Sequence, residues 1–318
     1  MKITILGCGV FGCGLANLFN NASASITMYS PNENEVNELL KTRRNEKIDF
    51  SIPNEIDITS NLKNAIENSN LIVFAIPTYA IESVCEELKS IVDDDVHYLI
   101  ASKGINDDGS FISEIVHNIL NTDKIAVISG PTFAKDLVNG SIIGFTIASV
   151  NNDTKTICEC MRSDKIKLEI VEDLIGVQIC GAIKNVIAIA SGILGGINAS
   201  DSTNALFLTE AINSIKDLIK ACNGEEKTVL SLAGFGDFLM TCTSENSRNY
   251  TYGKLIGEGK IKDAKEYERN TTVEGIHTLK SVKALINKNN IKNELIDLLD
   301  DIINERKEKE ELLTYIIK

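Results

Sequence analysis

Lys2-Ile3-Thr4-Ile5-Leu6-Gly7-Cys8-Gly9-Val10-Phe11-Gly12 decides how this chain is read. Residues 2–6 read as a buried strand and 10–20 as a helix, with Gly7, Gly9 and Gly12 forming a G-x-G-x-x-G turn between them. A helix N-terminus offers N–H groups and a partial positive charge, which suit a pyrophosphate. Gly7 permits the tight turn, Gly9 lets a ligand approach the backbone, and Gly12 lets the helix lie close on the strand. A glycine turn without a ligand is the plainer alternative. The strand before it and the helix after it favour the dinucleotide.

Outward from this turn, strand patterns at 25–30, 55–59, 71–76, 98–101, 125–129, 145–149 and 166–171 alternate with helical patterns at 32–43, 78–92, 111–120 and 154–162. Such alternation predicts an α/β fold, a Rossmann-like doubly wound, mostly parallel sheet over residues 1–173. Beyond Asp173 the alternation stops. Apolar spacing predicts helices at 176–194, 205–221, 227–232, 272–286 and 291–315, so 174–318 reads as an all-helical C-terminal domain. The charge-rich stretch 257–269 reads as a surface loop with one helical turn, and the charge run 304–311 as a solvated helix face.

A length of 318 residues is enough for two domains with a sizeable core. The net charge of −13 argues against nucleic-acid binding and against a basic membrane anchor. An anionic ligand must then be held by a local basic cluster. The eight cysteines have no framework spacing, and Cys158-Glu159-Cys160 is too tight for a C-x-x-C motif. No metal site is expected, and the thiols read as free cysteines of a reducing cytoplasm. No leader is read at the N-terminus, and no uninterrupted apolar run is read as long enough to span a membrane.

The chemistry concentrates in a few segments. The stretch 178–188 is apolar on nearly every face, yet Lys184 sits at its middle. An ammonium is almost never fully buried without a partner, and here the helix offers little solvent face for it to reach. A lysine facing a cleft fits better, with a pKa lowered towards neutrality as a general acid/base requires. Ser102-Lys103-Gly104 follows a strand at the carboxyl edge of the sheet, where open α/β folds bind ligands. Asp237 is the single acid in the Gly/apolar stretch 234–243, and reads as a helix cap or as the counter-ion of a cleft lysine. Ser247-Arg248-Asn249 supplies the donors that a phosphate needs.

Together these segments resemble the NAD(P)-dependent sn-glycerol-3-phosphate dehydrogenases of bacterial type, over nearly the whole chain. The resemblance runs through Gly7–Gly12, Phe74–Pro77, Ser102-Lys103-Gly104, Ser129-Gly130-Pro131-Thr132-Phe133-Ala134, Gly181-Ala182-Ile183-Lys184-Asn185-Val186, Gly234–Thr243 and Ser247-Arg248-Asn249, in family order. It implies reversible hydride transfer between NAD(P)H and dihydroxyacetone phosphate, giving sn-glycerol 3-phosphate for glycerophospholipid synthesis. It implies that Lys184 is the proton donor, with Asp237 and Lys103 beside it in the catalytic machinery. By the same resemblance Lys103, Gly130, Thr132, Lys184, Asp237, Ser247, Arg248 and Asn249 hold the substrate. Gly7, Gly9, Val10, Phe11, Gly12, Lys103, Ala134, Arg248 and Glu274 touch the cofactor, and a homodimer is plausible. Lys103 and Arg248 are expected to pull the pKa of Lys184 down, and Asp237 to oppose them.

Three positions depart from the family pattern. Phe11 stands where a Trp or Tyr is usual, Tyr250 where another basic residue is usual, and Thr209-Glu210 where Thr-Arg is common. Cofactor choice is open in Met28-Tyr29-Ser30-Pro31-Asn32-Glu33: no base is present for a 2′-phosphate, and Glu33 comes late for an acid that selects NAD. The balance leans slightly to NAD or to dual use. Two-domain dehydrogenases of the 6-phosphogluconate or ketopantoate type share the plan but not the 234–243 and 247–249 segments. A non-catalytic nucleotide sensor would have no need of Lys103, Lys184 and Asp237 together.

Overall fold

Short runs rich in Ile, Val, Leu and Phe form the strands of the N-terminal half, and both faces of their sheet are covered, as a parallel sheet requires. In the computed structural model, which describes residues 1–22 and 24–318, the strands are β1 (Lys2–Leu6), β2 (Ser25–Tyr29), β3 (Arg44–Asn45), β4 (Phe50–Ser51), β5 (Asp57–Thr59), β6 (Leu71–Phe74), β7 (His97–Ile100), β8 (Ile125–Ser129), β9 (Ile143–Ala148) and β10 (Ile166–Val171). Among the described residues the main sheet has eight strands in the order β10-β9-β8-β7-β6-β1-β2-β5. All neighbours are parallel except β8 and β9, so β9 and β10 run against the other six. The pair β3–β4 makes a separate antiparallel hairpin that the sequence did not announce.

β1 pairs with β2 on one side and β6 on the other, with Leu6 opposite both Tyr29 and Phe74. The strand order reverses there, and in doubly wound sheets ligands bind beyond the carboxyl ends of the strands at that point. The glycine turn follows β1 at this place.

The chain divides into two compact units, Met1–Ser102 with Ile112–Leu174, and Lys103–Phe111 with Ile175–Lys318. The short Lys103–Phe111 segment groups with the helices: Ile105 and Phe111 lie in the helical core. No strand follows Val171 among the described residues. The helix Leu174–Gly196 runs through the second core, buried at every position from Gly176 to Leu194. By length and composition it could cross a membrane, but Lys184 interrupts its apolar run and 89% of its most apolar stretch is packed inside the protein.

Two further expectations are corrected. Residues 257–269 are mostly helical, in Ile261–Asn270; only Ala264 of that helix is buried, so the apolar signal was weak. The predicted helix over 291–315 is two, Glu294–Ile303 and Glu311–Ile316. Glu305 takes a left-handed conformation (φ 58°), and Arg306 turns back to Asp300 and Asp301. The run 304–311 lacks the apolar anchors that would carry a helix across it.

Candidate active site

The glycine turn is built as its sequence requires. Gly7 has φ +116°, a Cβ on it would overlap the Ala75 carbonyl oxygen, and its N–H donates to Tyr29 O at 2.8 Å. A Cβ on Gly12 would overlap the carbonyl oxygen of Gly7, so the helix can start only with glycine there. A Cβ on Gly9 would meet nothing within 4 Å. Packing therefore explains Gly7 and Gly12, and leaves Gly9 facing open space at the N-cap of the helix Val10–Asn21. Gly9, at the cap position, has no side chain with which to cap the helix. This is a cradle that fits a pyrophosphate. At the end of β8, a Cβ on Gly130 would overlap Gly144 O, and Thr132 Oγ1 donates to Gly144 O at 3.3 Å. Ala134 opens the helix Ala134–Val138, whose Leu137 packs on Gly14 of the first helix.

The second unit brings Lys184, Asp237 and Lys103 together. Lys184 Nζ donates to Asp237 Oδ1 at 2.5 Å and to Thr241 Oγ1 at 3.1 Å. Lys103 Nζ donates to Asp237 Oδ2 at 2.7 Å. Asp237 is fully buried, Lys184 is 6% exposed, and the Lys103 side chain is 15% exposed. Each element has a reason to be there. A π-helical turn, Leu232–Gly236, carries the chain into the helix Asp237–Cys242; Gly234 in it touches Val229 where no Cβ fits. Asp237 lies in the first turn of that helix, where a negative charge is favoured. Lys103 is held by its own short segment. Gly109 (φ +80°) lies against the backbone of Ala284 and Leu285, and Lys288 Nζ donates to Ser110 Oγ at 2.8 Å.

Burial drives the Lys184 pKa down; Asp237 opposes this, Lys103 adds to it, and the result is about 8. Burial alone would raise the Asp237 carboxyl, but the two ammonium groups outweigh it and hold it below the usual carboxylate range. The cluster is thus a protonated lysine that gives up its proton near neutrality, beside a carboxylate that stays ionised. Arg248 does not serve as the expected cation beside Lys184. It pairs instead with Glu274 at 3.5 Å.

Arg248, Asn249 and Glu274 are linked to Lys184 through its neighbour Asn185. Asn185 Nδ2 donates to Glu274 Oε2 at 3.1 Å, Asn249 Nδ2 donates to Asn185 Oδ1 at 3.0 Å, and Gly275 N donates to Asn249 Oδ1 at 2.9 Å. Ser247 Oγ accepts from Tyr250 N at 3.3 Å and so caps the helix Arg248–Gly257. That helix comes close to Leu174–Gly196 because glycines face backbone from both sides. A Cβ on Gly192 or Gly196 would overlap a carbonyl oxygen of Tyr250 or Lys254, and one on Gly253 or Gly257 would overlap that of Ile189 or Ile193. Thr241 and Asn185 were quoted within motifs but given no role. Thr241 follows Asp237 by four residues, which puts both on one helix face, and that spacing was the available signal.

Comparisons with known proteins place the chain in a family. Residues 2–155 match the family model for the N-terminus of NAD-dependent glycerol-3-phosphate dehydrogenase, and 173–314 match that for its C-terminus. An NAD(P)+ glycerol-3-phosphate dehydrogenase of Thermoanaerobacter sp. is 35% identical over 288 residues, covering 90% of this chain and 87% of its own length. One of Fusobacterium nucleatum is 33% identical over 323 residues, covering 100% and 96%. The crystal structure of glycerol-3-phosphate dehydrogenase from Coxiella burnetii superposes with a TM-score of 0.92 at 26% identity, covering 100% of this chain and 98% of that one. The chain therefore belongs to the NAD-dependent glycerol-3-phosphate dehydrogenase family.

Proposed function

We propose that this protein reduces dihydroxyacetone phosphate to sn-glycerol 3-phosphate, reversibly, with a nicotinamide dinucleotide, and so feeds glycerophospholipid synthesis. The observation that carries the reading is the buried Lys184 on Asp237, with its pKa near 8. The reduced nicotinamide, when bound, supplies the hydride to the carbonyl carbon. Negative charge then grows on the carbonyl oxygen, and the Lys184 ammonium stabilises that charge and delivers a proton to it. In the reverse direction neutral Lys184 takes the hydroxyl proton. Asp237 keeps the ammonium aimed, and Thr241 fixes a second direction of it. Lys103 balances the carboxylate, so that Lys184 is not held in its charged form.

Arg248, at the start of a helix capped by Ser247, has the donors and the local dipole that a phosphate needs. A phosphate there would compete with Glu274 for the guanidinium. Gly130, Thr132 and Asn249 complete the proposed substrate contacts, and Gly7, Gly9, Val10, Phe11, Gly12, Lys103, Ala134, Arg248 and Glu274 are the proposed cofactor contacts. A cytoplasmic homodimer belongs to the same proposal. Sedimentation of the purified protein tests the dimer.

The test of function is oxidation of reduced nicotinamide by purified protein with dihydroxyacetone phosphate, with unphosphorylated dihydroxyacetone and ketopantoate beside it. Turnover with the phosphate ester and little with the other two is expected. Turnover on ketopantoate, or on no ketone while the nucleotide still binds, would overturn the assignment.

A further inference from the structure

We propose that Glu35 makes this chain select NADH over NADPH, because its carboxylate is turned back onto the carboxyl end of β2, where a dinucleotide-binding sheet reads the 2′ position of the adenosine ribose. The inference rests on the dinucleotide reading above and adds a selectivity to it.

The sequence contributes an absence of cations. No Lys, Arg or His stands between Lys2 and Lys41, a span that includes the glycine turn, β2 and most of the next helix. Glu33 looks too far along the chain to act at the strand end, and it is exposed. Glu35 is further along still, but the local fold brings it back. Asn32 caps the helix Glu33–Thr42, accepting from Asn34 N at 3.1 Å and Glu35 N at 3.3 Å, so Glu35 lies in the first turn. Buried Ser30, the first residue after β2, then donates from Oγ to Glu35 Oε2 at 2.5 Å. The end of β2 is level with the glycine turn, since Gly7 N donates to Tyr29 O at 2.8 Å. The thiol of Cys8, inside that turn, is pushed up first by burial and next by the Glu35 charge, which agrees with a carboxylate close to the turn.

The next arginines along the chain, Arg43 and Arg44, each have a partner of their own. Arg43 donates to the carbonyl oxygens of Pro53 and Ile56, and Arg44 pairs with Asp49. Asn45 reaches the first helix at Cys13, but with a neutral amide. A ribose 2′-hydroxyl can donate to the Glu35 carboxylate. A 2′-phosphate brings up to two negative charges against it. NADPH is expected to bind at least about tenfold more weakly than NADH.

The test is calorimetric titration of the full chain with NADH and NADPH, and with ADP-ribose and its 2′-phosphate as probes without a nicotinamide. Glu35→Gln is compared with Glu33→Gln, which removes the same charge from the same helical turn but has no contact with Ser30. Circular dichroism checks that both variants are folded. The expected result is a preference for NADH and ADP-ribose in the parent chain, reduced to about threefold or less in Glu35→Gln and unchanged in Glu33→Gln. Equal affinities in the parent chain would overturn the inference and leave the dehydrogenase reading standing. So would equal shifts in the two variants, because the effect would then be one of net charge. Binding of neither nucleotide would overturn the dinucleotide reading, and this inference with it.

Discussion

Replacing Lys103 with Gln removes one of the two ammonium groups that share Asp237. The carboxylate holds their Nζ atoms at 2.5 and 2.7 Å on different oxygens, which leaves the two charges roughly 5–6 Å apart. At an effective dielectric of about 20 that repulsion is about 3 kcal/mol. Lys103 is partly open to water, so screening reduces it, and a rise of about one unit in the Lys184 pKa, about 1.4 kcal/mol, is the expected size. The direction is fixed by the chemistry. In the proposed mechanism Lys184 acts as an acid in reduction, so reduction should be fast below its pKa and fall above it. The basic limb of kcat/KM for reduction, near pH 8 in the parent protein, should move up by about one unit. The acidic limb of glycerol 3-phosphate oxidation should move up with it, because that direction needs the neutral amine. The assay is kcat/KM against pH in both directions. The absolute rate also falls if Lys103 touches substrate, but the limb position reports the charge alone. A limb that stays in place or moves down would refute the account of how Lys184 is tuned.

Other perturbations separate packing from chemistry. Gly9→Ala adds a Cβ where nothing stands within 4 Å, so urea unfolding should change by less than about 0.5 kcal/mol while NADH affinity falls. A loss of stability instead would mean that Gly9 serves the fold. Gly253→Ala places a Cβ on the Ile189 carbonyl oxygen and should cost about 1–3 kcal/mol in the same assay. It should also raise KM for dihydroxyacetone phosphate more than it weakens NADH binding, since Arg248 rides on that helix. Asp237→Asn leaves two lysines without their shared counter-ion. A stability loss of about 3–5 kcal/mol is expected, and a loss below about 1 kcal/mol would show that the buried charges relax to water.

The elements that position the site were legible because each depends on a strong local signal. β1, β6 and β8 are short apolar runs bounded by turn residues, and the helix around Lys184 is too apolar to lie anywhere but in a core. The interior lysine was readable as a chemical group for the same reason: nothing else in that stretch needs a charge. What the sequence hid was contact across distance in the chain. Lys103 is 134 residues from Asp237, and no local pattern assigns Lys103–Phe111 to the helical unit. Asn249 and Glu274 meet at Asn185 only because glycines let the helices approach to backbone contact. Glu35 lies well beyond the end of β2 in the chain, and the Asn32 cap with one turn of helix brings it back to Ser30. The helix Ile261–Asn270 was missed for want of a buried face, not for want of helix formers.

The most direct test of the central claim is Lys184→Ala, assayed with dihydroxyacetone phosphate and reduced nicotinamide, with nucleotide binding measured on the same sample. Removing a positioned proton donor should lower kcat by about 10²–10⁴. NADH affinity should stay within about twofold, because the cradle at Gly7–Gly12 belongs to the other unit. A variant that turns over dihydroxyacetone phosphate at the parent rate would contradict the assignment of Lys184 as the proton donor.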